Sequence, residues 1–425
     1  MNDATSKPGR VLILGADGFI GRHIAFHLRA QGWDVLALAR RPERLAEMGF
    51  ETLKVDLTEP GAADPGFWRL LLSRVSHVVN AAGLLSASSE AGHAVHVAAP
   101  AAIALALPAG TPGVLISAVG IENGQTEFAR WRLAGEDVAR DAGHTILRAG
   151  LVLADTSYGG SSLARALAAL PFAMPIVGDG SQEFNPIHAD DLAAQVNHCL
   201  EHPQPGATLE TGGPETVTQS GMLGAMRRWL GLKPARTFEL PLATANVLGR
   251  IGDFMRLGPI SQTSVAQLQS GILANPSPDL PQARGFSEFQ MARPAGTQDL
   301  WHARLYLMGP GLRLVLAFMW LVSGMIGLFL PAPNFLPLLP SFLPDAFAIG
   351  LARFMGVVDL AIAAALLRGW RPRVMAGVQA AIVAGYTFGL TLLAPALWLL
   401  PLGGLLKNLP ILGLIAVHAI LEDQR

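Results

Sequence analysis

The run Val11-Leu12-Ile13-Leu14-Gly15-Ala16-Asp17-Gly18-Phe19-Ile20-Gly21 decides how the first half of the chain reads. Four consecutive apolar residues suit a parallel strand buried on both faces. Arg22-His23-Ile24-Ala25-Phe26-His27-Leu28 then carries apolar residues at helical spacing. Gly15, Gly18 and Gly21 stand at the corner between the two. Glycines there allow a tight turn and let a pyrophosphate approach the free N–H groups at the helix start. The spacing is G-x-x-G-x-x-G, and alone it describes a plain tight turn equally well.

The next segments raise the weight of the phosphate reading. Asp34-Val35-Leu36-Ala37-Leu38-Ala39 reads as a second strand and ends in Arg40-Arg41. A site for NAD places an acid at this point to hold the ribose 2′-hydroxyl, whereas guanidinium groups suit a 2′-phosphate through charge-assisted, bidentate bonds. NADP is therefore expected over NAD; the alternative is two solvated arginines opening a helix. Val55-Asp56-Leu57 and Val78-Val79-Asn80-Ala81-Ala82-Gly83 follow at strand spacing, each ending in small or polar residues.

Composition divides the chain. Of its 425 residues 51% are hydrophobic and only 15% charged, with mean hydropathy +0.38. Soluble domains carry about a quarter charged residues. The deficit is concentrated: the 121 residues from Leu305 to Arg425 hold 11 charges. Disorder, a disulfide scaffold and a wholly soluble protein are excluded. A net charge of −1 without a basic block excludes nucleic acid as an expected partner. Cys199 is the sole cysteine and reads as a small buried hydrophobe, so neither a disulfide nor a Cys-rich metal site is expected. Met1–Arg10 is polar, and no signal peptide is expected.

Taken together, Gly15/Gly18/Gly21, Val55-Asp56-Leu57 and Asn80-Ala81-Ala82-Gly83 resemble the cofactor half of the extended and atypical short-chain dehydrogenases/reductases. The resemblance continues through Val114–Gly120, Thr145–Gly150 and Asn185–Leu192, and covers roughly Val11 to Leu300. It implies a doubly wound α/β parallel sheet of Rossmann type with a small helical substrate lobe. It also implies cofactor contacts from Gly15, Asp17, Gly18, Phe19, Ile20 and Gly21, from Asp56 (adenine) with Leu57, and from the Asn80, Ala81, Ala82, Gly83 turn. The departure lies at the reacting centre. Ser117 matches the family's serine, but Phe128 and Arg132 stand where Tyr-x-x-x-Lys belongs. Phenylalanine transfers no proton; arginine still holds a ribose hydroxyl. Tyr158, after the sixth strand, is the candidate substitute acid, against a bland loop tyrosine. His93 and His96 read as core or surface residues, and His188 as a structural hydrogen-bonder.

The remainder reads as membrane. Four apolar stretches, 312–330, 346–367, 374–394 and 405–421, approach the roughly 20 residues a spanning helix needs. Arg368, Arg371 and Arg373 fill the second connection, which the positive-inside rule places in the cytoplasm, with both termini on the same side. Tyr386-Thr387, Pro395–Trp398 and Pro401–Pro410 resemble the DoxX-like four-helix family. Asp359, Gln379 and Tyr386 form a polar cluster expected within the spans, either an interhelical network or a pocket for a quinone. The expected domains are thus 1–218 (cofactor), 219–274 (lobe), 275–303 (linker) and 304–425 (all-α, transmembrane).

Two functions follow. One is an NAD(P)H-dependent oxidoreductase on the inner face of a bacterial cell membrane, reducing a lipophilic acceptor such as a quinone or isoprenoid carbonyl; Ser117, Arg132 and Tyr158 would be its catalytic residues. The other is an NADP-binding sensor, scaffold or assembly protein without turnover, which Phe128 favours. Arg40→Ala should weaken NADPH binding about 10- to 100-fold, the loss of one charged hydrogen-bonded contact, and leave NADH unaffected; a fluorescence titration with both nucleotides decides it.

Overall fold

The computed structural model describes residues 9–85, 87–122, 124–270, 272–338 and 342–422. Residues 1–8, which bear on a leader, lie outside this set. The described chain forms two compact units. The first runs to residue 250 and resumes over 258–297; the second comprises 251–257 and the residues from 298 onward.

Val11–Leu14 is the strand its apolar run predicts. Strand β1 (Arg10–Leu14) leads into helix α1 (Phe19–Ala30), followed by β2 (Asp34–Ala39), β3 (Glu51–Lys54), β4 (His77–Asn80) and β5 (Gly113–Ala118). Helix α2 (Glu127–Asp141), β6 (Thr145–Ala149), α3 (Ala189–Glu201) and β7 (Thr208–Thr211) complete the sheet's complement. The strands are all parallel, in the order β7-β6-β5-β4-β1-β2-β3. Successive side chains of a strand point to opposite faces. Val11 and Ile13 accordingly join the core with Ile24, Leu28, Leu192 and Val196 of α1 and α3, while Leu12 and Leu14 join Trp68 and Ile103 on the other face. The strand order reverses between β1 and β4. Ligands of doubly wound sheets bind in the crevice at this point.

Three readings are refined. Val55-Asp56-Leu57 follows β3 rather than forming it, because Asp56 turns back on Thr58. The lobe is not helical throughout: between α4 (Gln219–Trp229) and the helix Leu242–Met255, Arg236–Leu240 pairs in parallel with Ala173–Val177. The stretch 275–297, whose Pro, Gly and polar composition suggests a linker, carries α5 (Phe286–Met291). There Phe286 and Phe289 are buried against Met222, Leu223 and Met226 of α4. Two aromatic residues outweigh the composition around them.

The second unit holds α6 (Met308–Phe329), α7 (Asp345–Leu367), α8 (Pro372–Leu393) and α9 (Asn408–Leu421). Each, with its flanking turns, is long and apolar enough to cross a membrane. Phe318, Phe329, Phe354 and Phe388 are each more than 60% exposed on these helices, an arrangement suited to lipid rather than water. Prolines break the connections, which fold as short 3₁₀ turns at Ala332–Asn334 and Pro395–Leu399.

Where α6 and α7 cross, backbones meet through glycine. A Cβ on Gly356 would lie 2.9 Å from the Gly324 carbonyl oxygen and 2.9 Å from the Leu328 nitrogen. Close approach of small residues is how helices gain packing energy in lipid. Gly356→Val should therefore lower the unfolding midpoint of the detergent-solubilised chain, an overpacking cost of about 1–3 kcal/mol. Gly350→Val, on the same helix with open space around it, should leave the midpoint unchanged.

Candidate active site

At the crevice, Gly15 has φ +73°, and a Cβ there would lie 2.8 Å from Ala82 Cα; one on Gly21 would lie 2.1 Å from the Gly15 oxygen. These two glycines are required by packing alone. Gly18 differs: its Cβ would meet only the Gly15 oxygen, at 3.1 Å, and the residue is exposed. The space beyond it is open. Gly18 caps α1 without a side-chain hydrogen bond, and the first turn carries no acid. The turn's N–H groups and the positive end of the helix dipole are thus left for an anion.

Just past the end of β2, Arg40 and Arg41 are exposed and have no hydrogen-bond partner among the described residues. Asp56 accepts from the Thr58 N–H at 2.9 Å and its hydroxyl at 2.7 Å. Burial alone would raise this carboxyl, but the Thr58 bonds and the Arg40 charge outweigh it and hold it below the usual range. Leu57 is buried beside it.

On the opposite side, Asn80 Oδ1 accepts from the Ala82 N–H at 3.1 Å, and the Ala81 N–H donates to the Leu14 carbonyl at 3.1 Å. His96, read from sequence as a core or surface residue, holds this loop: its Nε2 accepts from the Leu84 N–H at 3.1 Å. Burial, helped by the charge of Arg132, pushes His96 down to about 3, so it is neutral. Arg132 donates from Nη1 to the Ile116 carbonyl at 2.8 Å, and its Nη2 lies so near Gly83 that a Cβ there would be 2.3 Å away. Its Nε is buried without a partner. Burial lowers this guanidinium to about 10 against the opposing pull of Glu136, leaving it a cation at neutral pH.

Of the predicted catalytic residues, Arg132 reaches the backbone next to Ser117, at the Ile116 carbonyl, and Tyr158 stands beside Phe19. Ser117 is buried and donates its proton to Glu136 Oε1 at 2.6 Å. Glu136, 1% exposed, is held by Arg148 through Nε at 2.9 Å and Nη2 at 2.7 Å. The Ser117 hydroxyl therefore offers only lone pairs to a ligand. Phe128 is buried with Ile121 and Ala129, edge-on to His96 at 6.3 Å, with the Arg132 guanidinium 5.5 Å from its ring centre. Tyr158 is 55% exposed and stacks on Phe19 at 6.3 Å, directly beside the phosphate loop. Glu136 was missed in the sequence because an acid inside an amphipathic helix reads as surface. In the membrane unit, Gln379 Oε1 accepts from Trp320 Nε1 of α6 at 2.9 Å, and Asp359 Oδ2 accepts from the Ser323 hydroxyl of α6 at 2.7 Å. Gln379 Nε2 is spent on the Met375 carbonyl.

An open phosphate cradle at Gly18 and an orphaned donor at Arg132 fit a dinucleotide laid across the crevice. Residues 11–102 match the NAD-dependent epimerase/dehydratase family and residues 317–416 the DoxX-like family. A protein of Caulobacter vibrioides named ceramide reductase is 30% identical over 249 residues, spanning 56% of this chain and 75% of its own. Among solved structures, UDP-glucuronic acid 4-epimerase from Bacillus cereus with NAD has 17% identity and TM-score 0.46, covering 55% of this chain and 87% of that one. The dTDP-glucose 4,6-dehydratase from Bacillus anthracis with NAD has 14% identity and TM-score 0.47, covering 55% and 84%. The chain belongs to the NAD-dependent epimerase/dehydratase branch of the short-chain dehydrogenases/reductases, joined to a C-terminal DoxX-like domain.

Glu136→Ala would leave Arg148 facing its site with only the half-exposed Glu122 as partner. Breaking a buried pair from one side is strongly destabilising, and a loss of about 3 kcal/mol is expected, measured by denaturant unfolding of the detergent-solubilised chain.

Proposed function

We propose that the chain is a membrane-anchored, NAD(P)H-dependent reductase of a lipophilic carbonyl, with a ceramide-type lipid favoured over a quinone as acceptor. The observation that carries the reading is the cofactor cradle itself: the uncapped first turn of α1 behind Gly18, and the Arg132 guanidinium, whose Nη2 lies against Gly83 and whose Nε has no partner. The relative named ceramide reductase turns the choice of acceptor toward a lipid carbonyl. Covalent attachment to four apolar helices supports the same choice, since it raises the effective concentration of a bilayer-dissolved substrate.

When bound, the nicotinamide supplies the hydride. The α1 N–H groups hold the pyrophosphate, and Asp56 and Arg40 face the adenosine end, where Arg40 prefers the 2′-phosphate of NADPH. Arg132 donates to the nicotinamide ribose. Tyr158, exposed on Phe19, donates the proton to the carbonyl oxygen in place of the absent family tyrosine. Both chain termini and the arginine loop belong to the cytoplasmic side, where the reduced nucleotide is supplied.

A second reading, NADP held without turnover, is favoured by Phe128 and by the commitment of the Ser117 proton to Glu136. The two part in one assay. Detergent-purified full chain is expected to oxidise NADPH with a ketone-bearing ceramide analogue and more slowly with a short-chain ubiquinone. Tight NADPH binding with oxidation by neither acceptor would support the second reading. Tyr158→Phe should lower kcat by about 10²–10⁴, the worth of a positioned acid, at unchanged NADPH affinity; an unaltered kcat removes Tyr158 from the chemistry.

A further inference from the structure

Next to α1, whose His23 ring lies 6.5 Å from that of His188, the first unit contains an open cleft between the segment after β6 and helices α4 and α5. Its floor is apolar, built from Leu153, Met226, Phe286 and Phe289. Its rim is charged but internally balanced. Arg293 pairs with Asp155 at 3.0 Å, Arg165 donates to the Ala154 carbonyl at 2.6 Å, and both guanidinium groups lie about 5 Å from the Trp229 ring centre. A floor and rim of this kind suit an amphipathic molecule, with chain inward and polar end outward.

Two polar groups interrupt the floor. His188 is 3% exposed and lines the cleft. Its Nδ1 faces the Asp190 N–H at 3.3 Å and Arg284 Nη2 at 3.2 Å. These two nearer neighbours can only donate, and the Asp190 carboxylate oxygen lies beyond them at 3.5 Å, so Nδ1 accepts and the ring proton sits on Nε2. Burial, with the Arg284 charge beside it, lowers His188 despite the pull of Asp190, which keeps the ring neutral. Gln290 also lines the cleft, and its Oε1 is buried with no partner. A buried acceptor left unmade costs the full desolvation of that group. The fold thus presents one donor and one acceptor on an otherwise greasy surface.

We propose that this cleft is an amide-recognition subsite, in which His188 Nε2–H donates to the carbonyl, and Gln290 Oε1 accepts the N–H, of an N-acyl chain. A trans secondary amide carries its acceptor and donor on opposite edges of one rigid plane, whereas an ester carries only the acceptor. The proposal deepens the lipid-reductase reading and rests on it for the expectation that the substrate is an amide-linked lipid. The binding chemistry itself is tested without any reduction.

The probes are N-dodecylhexanamide and dodecyl hexanoate, titrated calorimetrically into the full chain in one detergent. The amide is expected to bind about tenfold more tightly, one net hydrogen bond. Gln290→Leu should remove that preference while leaving the ester's affinity unchanged, and Gln290→Met provides a second apolar replacement. Both variants should unfold at or above the wild-type temperature when ligand-free, because each removes an unsatisfied buried acceptor. Equal affinity for the two probes, or an amide preference that survives both substitutions, overturns the proposal. An intact, Gln290-dependent preference in a chain that reduces no lipid carbonyl supports the subsite and removes only the reductase reading.

Discussion

The contact between the turn after β1 and the turn after β4 sets the rest of the cofactor unit. Gly15 approaches Ala82 so closely that no side chain fits between them. With the Ala81 N–H on the Leu14 carbonyl, this contact closes the bottom of the crevice where strand order reverses. Everything above it inherits that geometry: the direction of α1, the exposure of Gly18, and the position of Gly83 under Arg132. A residue larger than glycine at position 15 would separate two strands before it disturbed any ligand. Backbone packing and ligand binding are therefore distinct demands on neighbouring glycines, and the motif's regular spacing conceals the difference.

A second constraint is electrostatic. Glu136 is almost wholly buried, yet it accepts from Ser117 and receives a two-point grip from Arg148. A carboxylate in that position is tolerable only because its acceptor capacity is used. The network ties α2 to β5 and β6, and α2 is the helix that carries both Phe128 and Arg132. The placement of Phe128 and Arg132 thus depends on an ion pair behind them. In the membrane unit Trp320 and Gln379 perform a related task between α6 and α8, with the glutamine's remaining donor turned to its own helix.

The sheet, the phosphate loop and the four apolar helices were legible in the sequence because each rests on a local pattern. Val11–Leu14 is uniformly apolar, the glycines stand at a strand end, and the last 121 residues nearly lack charge. What escaped depends on contacts between distant positions. Phe286 and Phe289 sit among prolines and polar residues, so their burial against α4 is invisible to any window around them. Arg236–Leu240 becomes a strand only because Ala173–Val177 is there to pair with it. Glu136 and His96 have no signature of their own; their roles come from Ser117, Arg148 and Leu84, brought to them by the fold. In the membrane unit, shared depth and face do not specify partners: Gln379 takes Trp320 and Asp359 takes Ser323, neither of which the spacing of the polar residues indicates.

The packing around Phe128 limits what a single substitution there can do. A missing tyrosine suggests a vacancy that one substitution could refill, but this position is occupied on every side by residues adapted to a plain ring. His96 meets its edge, Arg132 lies over it, and Ile121 and Ala129 enclose it. The serine that would cooperate with a tyrosine has meanwhile given its proton to Glu136. A hydroxyl added to the ring at 128 would enter this packing while the Ser117 proton stayed with Glu136. Ring packing and the serine's hydrogen bond are thus two separate constraints, and a change at position 128 alone relieves only the first.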